Sequence, residues 1–121
     1  GLFDAVMIKD NHIAVAGSVA TAVASAKAAG RTDIQVECDT LEQVREALKV
    51  GADSLLLDNM PPAMLRRARA IVDNRIPCEA SGGVNLDTIR AIAETGVDYI
   101  SVGRLTQSAP AVDIGLDYAS D

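Results

Sequence analysis

Polar and glycine residues gather where the short apolar runs of this sequence end. In chain order these residues are Lys9-Asp10-Asn11-His12, Glu37 with Asp39, Asp58-Asn59, Glu79 with Ser81-Gly82-Gly83, and Gly103-Arg104. In parallel α/β proteins the carboxyl ends of neighbouring strands meet at one edge, where binding and catalytic groups lie. If the apolar runs are strands, these residues are expected to share one site.

A lysine and two carboxylates are the candidate catalytic groups. Lys9 follows the first apolar run, Glu37 lies inside the second, and Asp58 ends the third. A carboxylate pointing into a barrel is costly to bury unless a cation or metal pairs with it, which favours a functional Glu37. Lys9 is equally explained as a solvated loop residue, and Asp58 as the cap of the following helix.

The segment Ser81-Gly82-Gly83 precedes a predicted helix and is the candidate phosphate site. Backbone N–H groups at the positive end of a helix bind phosphate, and Gly103 would let a phosphate approach the next strand end. Barrels often hold phosphate at the loops after their last two strands, although a tight turn explains the glycines as well. Near a phosphate, Glu37 and Asp58 suggest Mg²⁺ held through water, or hydrogen bonds to ribose hydroxyls. The residues alone thus indicate a phosphorylated sugar or nucleotide substrate.

Short strands alternate with longer helices along the chain. The predicted strands are Ala5–Ile8, Ile34–Cys38, Ser54–Leu57, Cys78–Ala80 and Tyr99–Val102. The predicted helices are Ser18–Ala29 with Ser18 as N-cap, a helix from the Thr40 capping box to Val50, one from Pro61-Pro62 to about Val72, and one from the Asn85 cap to Glu94. This rhythm predicts an α/β fold of about five parallel strands. A closed barrel needs eight strands in about 250 residues, so the chain is either roughly half a barrel or an open sheet. The tail Ala111–Tyr118 is a final strand or an irregular segment.

Composition restricts the class of protein. The chain has 121 residues, 49% hydrophobic, which is typical of a globular protein. Its net charge of −6 disfavours nucleic acid and anionic membrane surfaces, and no apolar run approaches the roughly 20 residues of a membrane span. Cys38 and Cys78 lack zinc-ligand spacing and are expected as buried thiols, with a disulfide as the alternative. A cytoplasmic location is expected, since no signal peptide is recognisable.

Six short motifs occur in a fixed order along the chain. They are Ile8–His12 (IKDNH), Val36–Cys38 (VEC), Leu56–Asn59 (LLDN), Glu79–Gly83 (EASGG), Thr95–Gly103 (TGVDYISVG) and Leu105–Ala111 (LTQSAPA). Each is weak alone, but the ordered set covers essentially the whole chain and resembles the quinolinate phosphoribosyltransferases, also called nicotinate-nucleotide pyrophosphorylases (carboxylating). The resemblance implies that residues 1–121 are the C-terminal portion of a (β/α) TIM-like barrel. The family's N-terminal domain and first barrel strands would be absent from it.

The resemblance also implies an activity. The family makes nicotinate mononucleotide from quinolinate and phosphoribosyl pyrophosphate in NAD biosynthesis, releasing pyrophosphate and CO₂, and needs Mg²⁺. Lys9 resembles the active-site lysine near quinolinate and ribose, and Glu37 and Asp58 resemble the carboxylates near the ribose hydroxyls and the metal. Ser81, Gly82 and Gly103 resemble the residues that bind the 5′-phosphate in the family. Gly83 lies beside them in the sequence, and Gln107 occupies a position where some members have His.

The same resemblance predicts what this chain needs to act. The family builds its active site across a dimer, with residues from the partner's N-terminal domain, so a homodimer or higher homo-oligomer is expected and the chain alone is not expected to be a competent enzyme. A paralogue of the same fold that acts on another substrate, such as the related molybdenum-locus protein, is one alternative. The other is a non-catalytic half-barrel that self-associates through exposed sheet edges.

Overall fold

The computed structural model describes residues 6–9, 17–101 and 108–111, which form one sheet and its covering helices. The strands are β1 (Val6–Ile8), β2 (Ile34–Cys38), β3 (Ser54–Asp58), β4 (Cys78–Ser81), β5 (Tyr99–Ser101) and β6 (Ser108–Pro110). The helices are α1 (Val19–Ala28), α2 (Leu41–Lys49), α3 (Pro62–Val72) and α4 (Ile89–Ala93). The predicted α/β alternation is confirmed. None of the described helices is long and apolar enough to cross a membrane.

The sheet runs in chain order from β1 to β6. Each strand from β1 to β5 is parallel to the next, and a helix lies between each pair. An open doubly wound sheet reverses its strand order near the middle, whereas a barrel adds each strand beside the last. The observed order is therefore that of a (β/α) barrel segment. β6 was not predicted and pairs antiparallel with β5, while the predicted tail segment lies outside the described residues after Ala111.

The two faces of the sheet differ in polarity because successive side chains of a strand point to opposite sides. One face is apolar and packs with the helices in a single core; its strand residues are Ile8, Ile34, Val36, Cys38, Leu55, Leu57, Cys78, Ala80 and Ile100. The opposite face carries mostly polar side chains; they are Gln35, Glu37, Ser54, Asp58, Glu79, Ser81, Tyr99 and Ser101. In a barrel the helix-free face lines the interior.

Local sequence signals begin the first three helices where expected. The Ser18 side chain accepts a hydrogen bond from the Thr21 N–H at 3.0 Å, which caps α1. Thr40 and Gln43 form a reciprocal capping box on α2, with bonds of 3.2 and 3.3 Å. Pro62 occupies the first turn of α3, where its missing N–H has no cost.

The fourth predicted helix is shorter than expected. The Asn85 side chain accepts hydrogen bonds from the N–H groups of Asp87 and Thr88 at 2.8 and 3.1 Å. These bonds hold a turn, and α4 itself begins four positions later at Ile89. The predicted cap is real, but it stabilises the turn that leads into the helix.

A repeated Gly-apolar-Asp sequence fixes the registers at the amino ends of the strands. Asp53 accepts a hydrogen bond from the Ile34 N–H at 2.8 Å, and its own N–H donates to the Ile34 carbonyl at 2.8 Å. Asp98 makes the same pair of bonds with Cys78, at 2.8 and 2.9 Å. Each aspartate thereby anchors the first residue of the neighbouring strand.

Both cysteines are free and buried on the helix-facing side, as expected. Burial raises the pKa of the Cys78 thiol from 9.0 to about 11, and a hydrogen bond from Arg69 opposes part of that shift. A raised pKa means that the folded state favours the neutral thiol. The resulting stabilisation is complete below pH 9 and is lost as pH rises toward 11.

We predict that replacing Asp98 by Ala destabilises the fold by about 1–3 kcal/mol, because the Cys78 N–H loses its acceptor in a mostly buried place. Asp98→Asn keeps an accepting oxygen and should cost less. Urea unfolding measures both, with Glu46→Ala as the control on the exposed side of α2. Equal midpoints for Asp98→Ala and Glu46→Ala would show that the anchor is not needed.

We predict that neither thiol reacts rapidly with a thiol reagent at pH 8 in the native protein, since Cys38 and Cys78 are both fully buried. Labelling should become complete in urea. Fast native labelling of Cys78 would contradict the burial that raises its pKa.

Candidate active site

The structure brings the described candidate residues to one rim of the sheet. Lys9 directly follows β1, Glu37 lies near the end of β2, and Asp58 and Ser81 are the last residues of β3 and β4. Asp58 and Ser81 are register partners. Lys9 is exposed, whereas the other three are half-buried.

Other predicted site residues lie outside the described part of the chain. They are Gly103 and Gln107, together with Asp10, Asn11, His12 and Arg104. Their roles stay predictions.

A direct hydrogen bond joins the ends of β3 and β4. The Ser81 hydroxyl donates to Asp58 Oδ1 at 3.0 Å. The Asn59 N–H donates to the Ser81 carbonyl at 2.7 Å, and Asn59 holds a left-handed backbone with φ of 57°. The carboxylate expected near a sugar and the loop expected near a phosphate are therefore one rigid unit.

The glycine after Ser81 is required by space as well as by conformation. Gly82 has φ of +77°, which L side chains rarely adopt. A Cβ there would lie 3.0 Å from Asp58 Oδ1 and 3.1 Å from the Asn59 nitrogen. Only glycine lets the loop approach the carboxylate this closely.

The glycine loop offers two hydrogen-bond donors to solvent. Gly82 and Gly83 are exposed, and among the described residues neither N–H donates to a protein acceptor. Successive N–H groups of this kind form concavities that bind anions. The expectation that a helix N-terminus supplies the binding is wrong, because α4 has five residues and starts at Ile89, well beyond the loop. Any anion binding here depends on the loop's own donors.

A buried hydrogen-bonded group lies beneath the rim. Glu79 is fully buried and accepts a hydrogen bond from Gln35 Nε2 at 3.1 Å on one oxygen, while the Ser101 hydroxyl donates to the other. The sequence predicts Glu79 at a strand end but assigns it no role, and Gln35 and Ser101 are not among the predicted site residues. Polar residues at alternate positions of otherwise apolar strands were the signal that could have found them.

The rim suits a phosphorylated substrate on which positive charge develops. Glu37 and Asp58 are the carboxylates there, and Lys9 is a cation at its edge. Within the described ranges no three acidic, histidine or cysteine side chains gather closely enough to hold a metal by themselves. A divalent ion at the rim would therefore need substrate or water oxygens as well, which is how Mg²⁺ is commonly bound.

We predict that Gly82→Ala is more destabilising than Gly30→Ala. Both glycines have φ near +80°, but an added Cβ at Gly30 meets nothing within 4 Å. The two variants share the left-handed strain of about 1–2 kcal/mol, and Gly82→Ala adds overpacking of about 1–3 kcal/mol. Thermal unfolding of both variants measures the difference, and equal losses would rule out the close approach to Asp58.

Comparison with known proteins agrees with this geometry. The family model described as "Quinolinate phosphoribosyl transferase, C-terminal domain" matches residues 1–117. A Bacillus subtilis protein named probable nicotinate-nucleotide pyrophosphorylase (carboxylating) is 47% identical over 97% of this chain and 41% of its own length. The rat nicotinate-nucleotide pyrophosphorylase (carboxylating) is 42% identical over 92% of this chain and 39% of its own.

Solved structures give the same result. The crystal structure of nicotinate-nucleotide pyrophosphorylase from Ehrlichia chaffeensis superimposes with a TM-score of 0.80 at 44% identity, covering 88% of this chain and 39% of that one. The chain thus spans about two fifths of the length of the relatives it matches. With nearly its whole length matched by the family model, the chain belongs to the quinolinate phosphoribosyltransferase family and corresponds to its C-terminal domain.

Proposed function

We propose that the complete protein carrying this chain transfers the phosphoribosyl group of phosphoribosyl pyrophosphate to quinolinate. The products are nicotinate mononucleotide, pyrophosphate and CO₂, and the pathway is NAD biosynthesis. The hydrogen bond between Ser81 and Asp58 is the observation that supports this most, because it joins a carboxylate to a loop with available N–H donors. A sugar phosphate needs both groups, one at its ring and one at its 5′-phosphate.

The proposed chemistry assigns a role to each rim residue. Loss of pyrophosphate leaves an oxocarbenium-like sugar, whose positive charge the carboxylates of Glu37 and Asp58 would stabilise. Lys9 would hold the dicarboxylate in line for attack on the anomeric carbon. These three residues lie on one rim, at or beside the ends of successive strands β1, β2 and β3.

The 5′-phosphate is proposed to lie against the glycine loop. Gly82 and Gly83 would donate to its oxygens through their N–H groups, with Ser81, Gly103 and Gln107 completing the cradle. The N–H groups of Gly82 and Gly83, which have no acceptor within the part of the chain that the structure describes, support this assignment.

Mg²⁺ is part of the proposal, with Glu37 and Asp58 holding it through water. The described residues fit this role, because the Ser81 hydroxyl engages only Oδ1 of Asp58 and leaves a carboxylate oxygen for a hydrated ion. When bound, the ion would neutralise the charge of the departing pyrophosphate.

The proposal extends to the parts of the family that this chain does not match. The N-terminal domain and first barrel strands would supply the remaining quinolinate and pyrophosphate contacts. We also propose a homodimer or higher homo-oligomer and a cytoplasmic location.

A chimeric enzyme tests the activity. This chain replaces the matched two fifths of the Bacillus subtilis relative, and formation of nicotinate mononucleotide is followed with quinolinate, phosphoribosyl pyrophosphate and Mg²⁺. Activity dependent on all three supports the proposal. Transfer to another acceptor and not to quinolinate would identify a paralogue of different specificity, and a folded but inactive chimera would reject the assignment.

We predict that Glu37→Ala lowers kcat of the active chimera more than tenfold, because one carboxylate facing the developing charge is lost. Glu42→Ala is the matched control, since it removes an exposed carboxylate from the next helix. An unchanged kcat for Glu37→Ala would remove this residue from the mechanism.

A further inference from the structure

Three polar side chains form a layer on the polar face of the sheet, two of them fully buried and the third, Ser101, half-buried. This layer, defined by Gln35, Glu79 and Ser101, has the Glu79 carboxylate at its centre. One oxygen of Glu79 accepts from Gln35 Nε2 at 3.1 Å, and the other accepts from the Ser101 hydroxyl. Because each oxygen has its own donor, the carboxylate is held from two sides and its rotation is restricted.

The layer connects strands that are not all neighbours. Gln35 lies in β2 and Glu79 in β4, with β3 between them, so their backbones are separated by roughly two strand spacings, about 9.5 Å. Side chains from alternate strands meet in this way on the concave side of a curved sheet, as they do inside a barrel. The layer thereby links β2 to β4 and, through Ser101, to β5.

Each member of the layer stands two residues before a candidate site residue. Gln35 precedes Glu37, Glu79 precedes Ser81, and Ser101 precedes Gly103. A strand repeats every two residues, so for the described strands the layer lies on the same face, one step below the rim. A shift in the layer would be passed to the carboxylate rim and the phosphate loop together.

The layer contains one buried polar atom that should cost free energy of folding. Gln35 Oε1 is buried and has no hydrogen-bond partner among the described residues. A buried amide oxygen without a partner is unfavourable, and an apolar residue would avoid that cost. The amide nevertheless turns Nε2 toward Glu79, whose Oε1 accepts the hydrogen bond, and leaves its own oxygen on the other side. Gln35 therefore provides a hydrogen bond to Glu79 at the cost of leaving its own buried oxygen unpaired among the described residues.

We infer that Glu79, with its donors Gln35 and Ser101, is a positioning residue for the transfer reaction. It sets the distance between the carboxylate of Glu37 and the phosphate loop at Ser81, without touching the substrate. This inference rests on the proposed function. Since each subsite stays intact when the layer is loosened, the loss should appear in kcat more than in phosphate binding.

Ser101→Ala in the active chimera tests the role. Removal of one donor should lower kcat about tenfold, because small misplacements of reacting groups slow reactions by up to about 100-fold. The inhibition constant of ribose 5-phosphate should change less than about threefold, and Ser101→Thr, which keeps the hydroxyl, should restore kcat to within about threefold.

Thr95→Val is the matched control. It removes a different hydroxyl, which is buried and donates to the Ile92 carbonyl at 2.5 Å before β5 begins, away from the rim. It should lower the Tm and leave kcat unchanged. If Ser101→Ala lowers the Tm and leaves kcat unchanged in the same way, the layer is structural and the inference is rejected.

A second readout separates this inference from the proposed function. An inactive wild-type chimera would reject the function, and amide chemical shifts of the same folded protein would then decide the role of the layer. Ser101→Ala should change the amide chemical shifts of Glu37 in β2 and Ser81 in β4. Thr95→Val should leave the amide shifts of these two strands unchanged. Changes confined to β5 and β6 would overturn the inference.

Discussion

The alternation of side chains along a strand is the constraint on which the whole molecule depends. Because of this alternation, Val36, Leu55 and Leu57 pack against the helices, whereas Glu37 and Asp58 lie on the opposite face. The register between β2 and β3 is continuous, so the alternation is kept along both strands. A slip of one residue in any register would exchange these sets and bury the carboxylates against the helices. Asp53 and Asp98 oppose such a slip, because each forms a hydrogen bond with the first residue of a neighbouring strand.

The candidate site depends on the close approach of the glycine loop after β4 to Asp58 at the end of β3. Gly82 allows the chain to turn within contact distance of Asp58, and Ser81 bonds to the same carboxylate oxygen that a Gly82 Cβ would crowd. Sugar-binding and phosphate-binding groups are therefore fixed with respect to each other by adjacent strands, before any ligand arrives. Such preorganisation lowers the ordering cost at the moment of binding.

Local and periodic signals made most of this fold predictable. The strand Ile34–Cys38, the Ser18 cap and the Thr40 capping box follow from the identity of a few neighbouring residues, and all are confirmed. The prediction that a helix begins directly after Asn85 is wrong, because its side chain stabilises a turn with the same short-range hydrogen bonds that cap a helix. The hydrogen bond between Gln35 and Glu79 could not be predicted in this way, because it joins residues 44 positions apart and depends on the curvature of the sheet.

The interior face shows a division of roles within one sheet. Barrel interiors are usually filled by Val, Ile and Leu, whereas the described interior positions here are mostly polar, with Met7 and Leu56 as large apolar residues outside the helix-facing core. Stability must then come chiefly from the helix side, where the apolar strand residues pack. Because the interior contributes hydrogen bonds in place of packing, its side chains are held in fixed directions, which a site that must align a sugar, a phosphate and an acceptor requires. Substitutions on the two faces should differ in kind, with those toward the helices acting on stability and those toward the interior acting on alignment.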